Sequence, residues 1–264
     1  MPAQALRRVG LTGGKTNLQR TCAGRTVRDV PPRQRARREP SAGKLPNESR
    51  PRRGVRPSIS VARTWVKSDE PIWCIAIGAS GAEGLNDLRD LLAKLPATLP
   101  AAVLVVLHRS WTRPSQLQAV LGRATALPVV IAHQGEQLCQ GRIYIGEPAD
   151  HLRLASGRFG EIVADPEAQY RNRTIDLLFG SIAAHAGRHM IGVVLSGSLD
   201  DGAVGLAAIK SAGGQTMVVT PAQRSPDMPR NAINYDGPVN FIGKPEEIAA
   251  AICGIILAPA VRAY

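Results

Sequence analysis

Aromatic residues are scarce in this sequence: Phe, Trp and Tyr make up 4% of its 264 residues. Within residues 1–70 Trp65 is the sole aromatic, which disfavours a stacking platform for single-stranded nucleic acid. Cysteine is equally sparse. Cys22, Cys74, Cys139 and Cys253 form no Cys-x-x-Cys pair, which argues against structural zinc and thioredoxin-like redox chemistry. Scattered single thiols suit a reduced, cytoplasmic chain better than a secreted disulfide scaffold. No hydrophobic run approaches the ~18–20 residues of a membrane-spanning helix, and the N-terminus has no apolar core of signal-peptide type. Acidic residues are short in one place only. Residues 1–70 hold 17 Lys and Arg against 5 Asp and Glu, whereas residues 71–264 hold 16 basic and 16 acidic side chains. The formal net charge of +12 therefore belongs to the first quarter of the chain. That stretch is rich in Arg, Pro, Gly and Ser and has no apolar periodicity, so it is expected to be a disordered basic extension over 1–70. It reads either as a solvated tail, including one introduced by an early start codon, or as a polybasic arm for nucleic acid or anionic lipid, of which the scarcity of aromatics disfavours nucleic acid.

What is present begins near residue 71. Hydrophobic content of 44% is enough for a sizeable core. Continuous apolar runs at 72–77, 101–107, 128–132, 142–145, 191–195, 216–220 and 239–242 suit strands buried on both faces. Helical spacing separates them: Leu85, Leu88, Leu91, Leu92 and Leu95; Leu117, Val120 and Leu121 after Pro114; then 174–186, 203–212 and 245–257. His151–Leu154 and Phe159–Val163 alternate around Ser156-Gly157-Arg158, which predicts a β-hairpin on a sheet edge. The expected fold is α/β: a doubly wound, mostly parallel sheet with helices on both faces and a small antiparallel hairpin. It occupies residues 71–258, with 259–264 as a short tail.

Sites in such sheets form at the carboxyl ends of strands. Three of these ends carry chemistry: Gly78-Ala79-Ser80-Gly81, His108-Arg109-Ser110, and Ser196-Gly197-Ser198-Leu199-Asp200-Asp201-Gly202. A serine hydroxyl becomes an effective nucleophile when a histidine takes its proton and a carboxylate orients the imidazole. Simpler roles compete: Ser80 as a helix N-cap, Asp200 or Asp201 as a cap on the helix that follows, His108 as a satisfied core group. Gly78, Gly81 and Gly84 also fit a dinucleotide-binding turn, with Arg109 facing a 2′-phosphate.

Several separated blocks together resemble the protein-glutamate methylesterases of bacterial chemotaxis. They are Ile77-Gly78-Ala79-Ser80, His108 after an apolar strand, Gly141–Ile145, Ile175–Phe179, Gly192–Gly197, Asp200–Leu206, Ala207–Gly214 and Met228–Ile233. The resemblance implies a cofactor-free and metal-free serine hydrolase. It would remove methyl groups from glutamate esters on chemoreceptor-type proteins, and some family members also deamidate glutamine. Carried over, Ser80 matches the nucleophile, His108 the base and Asp201 the orienting carboxylate, with Gly81, Ser198 and Met228 in the oxyanion and substrate region. Four departures stand out: a turn one residue longer at Gly81–Gly84, Ser198-Leu199 in place of Met-Gly, Asn172-Arg173 in place of Arg-Pro, and a shorter loop between Thr220 and Met228 without the usual Ala-Gln-Asp start. Familiar members carry a receiver domain before this one, and a basic stretch of roughly 70 residues is too short to build such a core. Phosphorylation in cis is therefore not expected, while the basic arm would suit an anionic membrane near the receptors. The rival functions are an inactive scaffold of a sensory array, an NADP-binding enzyme, and nucleic-acid binding through the basic stretch 25–63.

Overall fold

The computed structural model describes residues 72–110, 114–198, 200–222, 227–235 and 239–258. The basic extension and the short tail expected at the two ends lie outside them. In chain order the elements are β1 (Trp73–Ser80), α1 (Gly81–Leu92), β2 (Ala101–His108), α2 (Leu117–Gly122), β3 (Val129–Ile131), β4 (Arg142–Ile145), β5 (Asp150–Ala155) and β6 (Phe159–Ala164). After these come α3 (Thr174–His185), β7 (Met190–Val194), α4 (Ala203–Ser211), β8 (Gln215–Val219), α5 (Met228–Tyr235), β9 (Phe241–Gly243) and α6 (Pro245–Leu257).

Seven strands form one sheet in the order β3-β4-β2-β1-β7-β8-β9, every neighbouring pair parallel. Alternate side chains of each strand serve opposite faces. Ile75 and Ile77 of β1 join α1, α2 and α6 through Leu88, Leu91, Leu117, Leu121, Ile248 and Ile252. Cys74 and Ala76 join α3, α4 and α5 through Leu178, Phe179, Leu206, Ile209 and Ala232. Both faces are thus covered, which is why the strands read as unbroken apolar runs. From β1 the chain builds outward on the β2 side and then returns to add β7 on the other side. The winding direction therefore reverses beside β1. At such a point the connections leave on opposite faces and open a crevice beyond the strand ends.

One expectation needs correction and one element is new. The hairpin β5–β6 is a separate two-stranded sheet rather than an edge of the main one. Its apolar face, Leu152 and Leu154, is buried against α3, and Leu154 N–H donates to Ser181 Oγ at 2.9 Å. Burial against a helix leaves the same alternation as an edge position. The helix α5 was not anticipated at all, because its eight residues carry only Met228, Pro229 and Ala232 inward.

Candidate functional site

Strands β1 and β2 end level with each other: Ser80 and His108 are the last register pair between them. Ser80 also holds the N-cap position of α1 with extended backbone (φ −143°, ψ 141°), yet its side chain makes no capping bond. The simple capping role thus fails, and the hydroxyl is not used by the helix it precedes. The backbone around it is fixed tightly. Ser80 N–H donates to Ser196 O at 3.0 Å, and Ser196 N–H donates to Asp87 Oδ2 at 3.0 Å. Gly197 is pressed between Ser80 and Met228, since a Cβ there would lie 2.5 Å from both Ser80 Cβ and Met228 Sδ. Any side chain at 197 would push the serine out of place.

His108 projects from β2 with its side chain 15% exposed. Its Nε2 lies 2.8 Å from Asp201 Oδ2 and 3.0 Å from Thr174 Oγ1. A carboxylate oxygen accepts only, so the Asp201 contact favours the tautomer with the proton on Nε2 and the lone pair on Nδ1. Asp201 is buried, and it caps α3 rather than the helix that follows it. Ile175 N–H donates to Oδ2 at 2.8 Å and Asp176 N–H to Oδ1 at 2.9 Å. The N-cap of α4 is instead Gly202, at φ +96°. A carboxylate at the start of α3 is favoured by the exposed N–H groups and by the helix dipole. The neighbouring Asp200 is exposed.

The other sequence-derived positions divide. Gly81 opens α1 at φ +71° with no atom near a would-be Cβ, and its N–H is among the first of the helix, which have no acceptor within the helix itself. Ser198 is exposed. Met228 is fully buried, and its N–H donates to Gly197 O at 3.0 Å, so it forms a wall behind the turn rather than a surface group. Leu199 lies outside the described residues.

A cavity of about 340 Å³ opens beside Ser80, Gly81 and His108, bounded by Arg109, the 146–150 loop, His151, Asp165 and Thr174. Arg109 Nη2 donates to Gly146 O at 2.6 Å and Nη1 to Leu107 O at 3.3 Å. Burial pulls its pKa below the usual arginine value against the opposing charge of Glu147. A guanidinium tied in this way secures the cavity wall and is poorly placed for a 2′-phosphate. Two of the turn glycines are spent on packing: a Cβ at Gly78 would strike Ile175, and one at Gly84 would strike Ser196 O, while Gly81 stays open. The case against a dinucleotide therefore rests on the tethered Arg109 rather than on the glycines. On the far wall, His151 Nε2 meets Asp165 Oδ2 at 2.9 Å, both side chains being buried. Burial tends to raise the Asp165 pKa. Hydrogen bonds from Tyr170 N–H, His151 and Gln169 N–H outweigh it and hold the carboxyl below its ordinary value. Among the described residues no three His, Cys, Asp or Glu side chains gather as a metal site, and no helix is long and apolar enough to cross a membrane.

Sequence reasoning missed Thr174, Asp87 and Gly197. Thr174 had one signal, a hydroxyl residue opening an apolar helical pattern. Asp87 had none, and Gly197 stood in a quoted strand-end motif without a role of its own, because Asp87 meets Ser196, and Gly197 meets Ser80 and Met228, only in the tertiary fold.

Comparison with known proteins places this geometry in context. The family model described as CheB methylesterase matches residues 75–252. The protein-glutamate methylesterase/protein-glutamine glutaminase of Salmonella typhimurium is 36% identical over 167 residues, 62% of this chain and 47% of that protein. The protein of the same name from Escherichia coli O157:H7 matches to the same extent. The chain thus spans about half the length of the curated relatives it matches. The crystal structure of the Thermotoga maritima CheB methylesterase catalytic domain superposes with a TM-score of 0.64 at 23% identity, covering 70% of this chain and 99% of that one.

Proposed function

The chain belongs to the CheB methylesterase family, and from that premise we propose that it is a serine hydrolase acting on glutamate methyl esters of chemoreceptor-type proteins, with glutamine deamidation as a second activity. One observation carries the reading. A serine hydroxyl that makes no capping bond stands level with a histidine whose ring is bonded to a buried, doubly N–H-bonded aspartate.

In this mechanism Ser80 Oγ attacks the ester carbonyl carbon while His108 Nδ1 takes the hydroxyl proton. Asp201 holds the ring through Nε2–H and stabilises the imidazolium that forms. The carbonyl oxygen becomes an oxyanion, and the N–H groups at the start of α1, beginning with Gly81, are the donors suited to it. Collapse breaks the C–OCH₃ bond, and the methoxy oxygen leaves as methanol with the proton from His108. Water then attacks the acyl-serine, again losing a proton to His108, which returns it to Ser80 Oγ. The product is a free glutamate carboxylate. With glutamine as substrate, ammonia leaves in place of methanol. Every step uses side chains and backbone of this chain, so the reading needs no metal or cofactor. Met228 behind Gly197 acts as a shaping group in this scheme, and the exposed Ser198 belongs to the substrate region by resemblance alone.

The setting is cytoplasmic in the same reading, with residues 71–258 as the hydrolase domain. The basic residues of 1–70 would favour an anionic membrane surface, at about 1 kcal/mol per well-placed side chain. Acylation by a fluorophosphonate probe tests the chemistry directly. The expected result is labelling of the wild-type protein and none of Ser80→Ala, with both folded. Equal labelling of the two, or a folded wild-type protein that resists the probe, would remove Ser80 as the nucleophile.

A further inference from the structure

Helices α3 and α4 start side by side near His108, and each is capped by a carboxylate belonging to the other's segment. Asp201, just ahead of α4, accepts the Ile175 and Asp176 N–H groups of α3. Asp176, in the first turn of α3, returns the contact: its Oδ1 accepts Gly202 N–H at 3.0 Å and Gly205 N–H at 2.8 Å. The Gly202 N–H belongs to the peptide unit that follows Asp201. Asp176 therefore grips the Asp201 side chain with its own N–H and the Asp201 backbone with its carboxylate, closing a ring of two residues. The two helix starts are also pressed together. A Cβ on Gly205 would lie 2.5 Å from Phe179 Cβ and 3.0 Å from Asp176 Cα.

A carboxylate at this place is costly. Burial raises the Asp176 pKa, and the Asp201 charge raises it further, against the lowering effect of the Gly205 and Gly202 N–H bonds. The first N–H groups of α4 have a cheaper acceptor in water or in a hydroxyl side chain, so helix capping alone does not explain the choice. What the carboxylate adds is a rigid connection between α4 and the element that supplies Thr174 and the Asp201-binding N–H groups.

We propose that Asp176 is a positioning residue for the His108–Asp201 pair. It fixes the start of α4 against the start of α3, so that Asp201 Oδ2 meets His108 Nε2 at a set distance. The inference rests on the hydrolase reading above for its consequence in turnover, but its geometry is independent of that reading.

Three variants test it: Asp176→Asn, Asp176→Ala and Asp176→Ser. Two readouts are needed. The first is kcat and KM for a small methyl ester. The second is the downfield proton NMR resonance of His108 Nε2–H, assigned by its loss in His108→Gln. Asn keeps an oxygen where Oδ1 stands, so its resonance should stay in place, with kcat within about threefold of wild type. Ala offers no acceptor and Ser is too short for both N–H groups. Both should lose or shift the resonance and lower kcat at least about tenfold, with KM within about twofold. Should Ala fail to fold, the contrast between Asn and Ser carries the same test. Retention of the resonance and of turnover in Ser and Ala would overturn the proposal, as would a loss in Asn equal to that in Ala. If the wild-type protein shows the resonance but hydrolyses no ester, the hydrolase reading fails while the resonance still decides the positioning role. A wild-type protein showing neither overturns both.

Discussion

Substitution of Gly78 by Ala tests how strongly packing inside the sheet is coupled to the candidate site. Gly78 lies in the last third of β1, and the methyl group of an alanine there would fall against Ile175 Cγ2, with Cδ1 at 3.0 Å and Cγ1 at 3.1 Å. Ile175 is fully buried in the first turn of α3. As a β-branched residue in a helix it has essentially one χ1 rotamer, so it cannot swing aside. The relief must come from a small retreat of the α3 start. Overpacking of this kind costs roughly 1–3 kcal/mol, offset by about 0.4–1 kcal/mol from the stiffer unfolded chain. A net loss of about 1–2 kcal/mol should lower Tm by roughly 2–4 °C per kcal/mol in a domain of this size. The retreat also carries the Ile175 N–H, 2.8 Å from Asp201 Oδ2, away from the carboxylate. Ester turnover is therefore expected to fall further than the fraction of unfolded protein explains. Urea denaturation of Gly78→Ala, Ile175→Ala and the double variant separates the terms. Ile175→Ala alone should cost about 2–5 kcal/mol by leaving a cavity. In the double variant the new methyl group occupies part of that space, so the double loss should fall short of the sum by about 1–2 kcal/mol. Additivity within about 0.5 kcal/mol would refute the reasoning.

Two further outcomes follow from the same geometry. Asp201→Asn should lower kcat on the order of 10³–10⁴-fold, because an amide nitrogen must face either His108 Nε2–H or an α3 N–H, whereas Asp200→Asn, at an exposed position, should leave kcat within about twofold; the reverse order in steady-state assays would mean that the wrong carboxylate has been assigned. Asp165, held below its ordinary pKa, contributes stability above the unfolded carboxylate pKa of about 3.9, and that contribution is lost as pH falls through the lower folded value. The Tm gap between wild type and Asp165→Asn should accordingly be widest near neutral pH and close below about pH 3.9, so a gap that does not change with pH would contradict the assignment.

Much of the fold is visible in the sequence for a single physical reason. Strands covered on both faces must be apolar at every position, so β1, β2, β7 and β8 announce themselves as runs, and the leucine spacing of α1 does the same. Ser80 and His108 were legible because each directly follows such a run, and parallel pairing brings the two ends level. The β5–β6 hairpin was legible as a hairpin but not in its placement, because Leu152 and Leu154 alternate in the same way whether they cover a helix or border a sheet.

Asp201 was legible only in part. Its position after β7 could be read, but its partners could not. The local sequence Asp200-Asp201-Gly202-Ala203 offers two carboxylates to the helix that follows, and helix capping within one segment is the natural expectation. The structure sends Asp201 across to α3, leaves Asp200 in solvent, and returns Asp176 from α3 to α4. Such an exchange requires both helix starts to be in place before any of its bonds can form. No short window of sequence contains it, since residues 176 and 201 lie 25 positions apart and meet only in the tertiary fold. What can be read locally is the chemistry each strand end carries. What aligns it is the contact between two helices that follow different strands, and the geometry of His108 depends on that contact as much as on the strand that bears it.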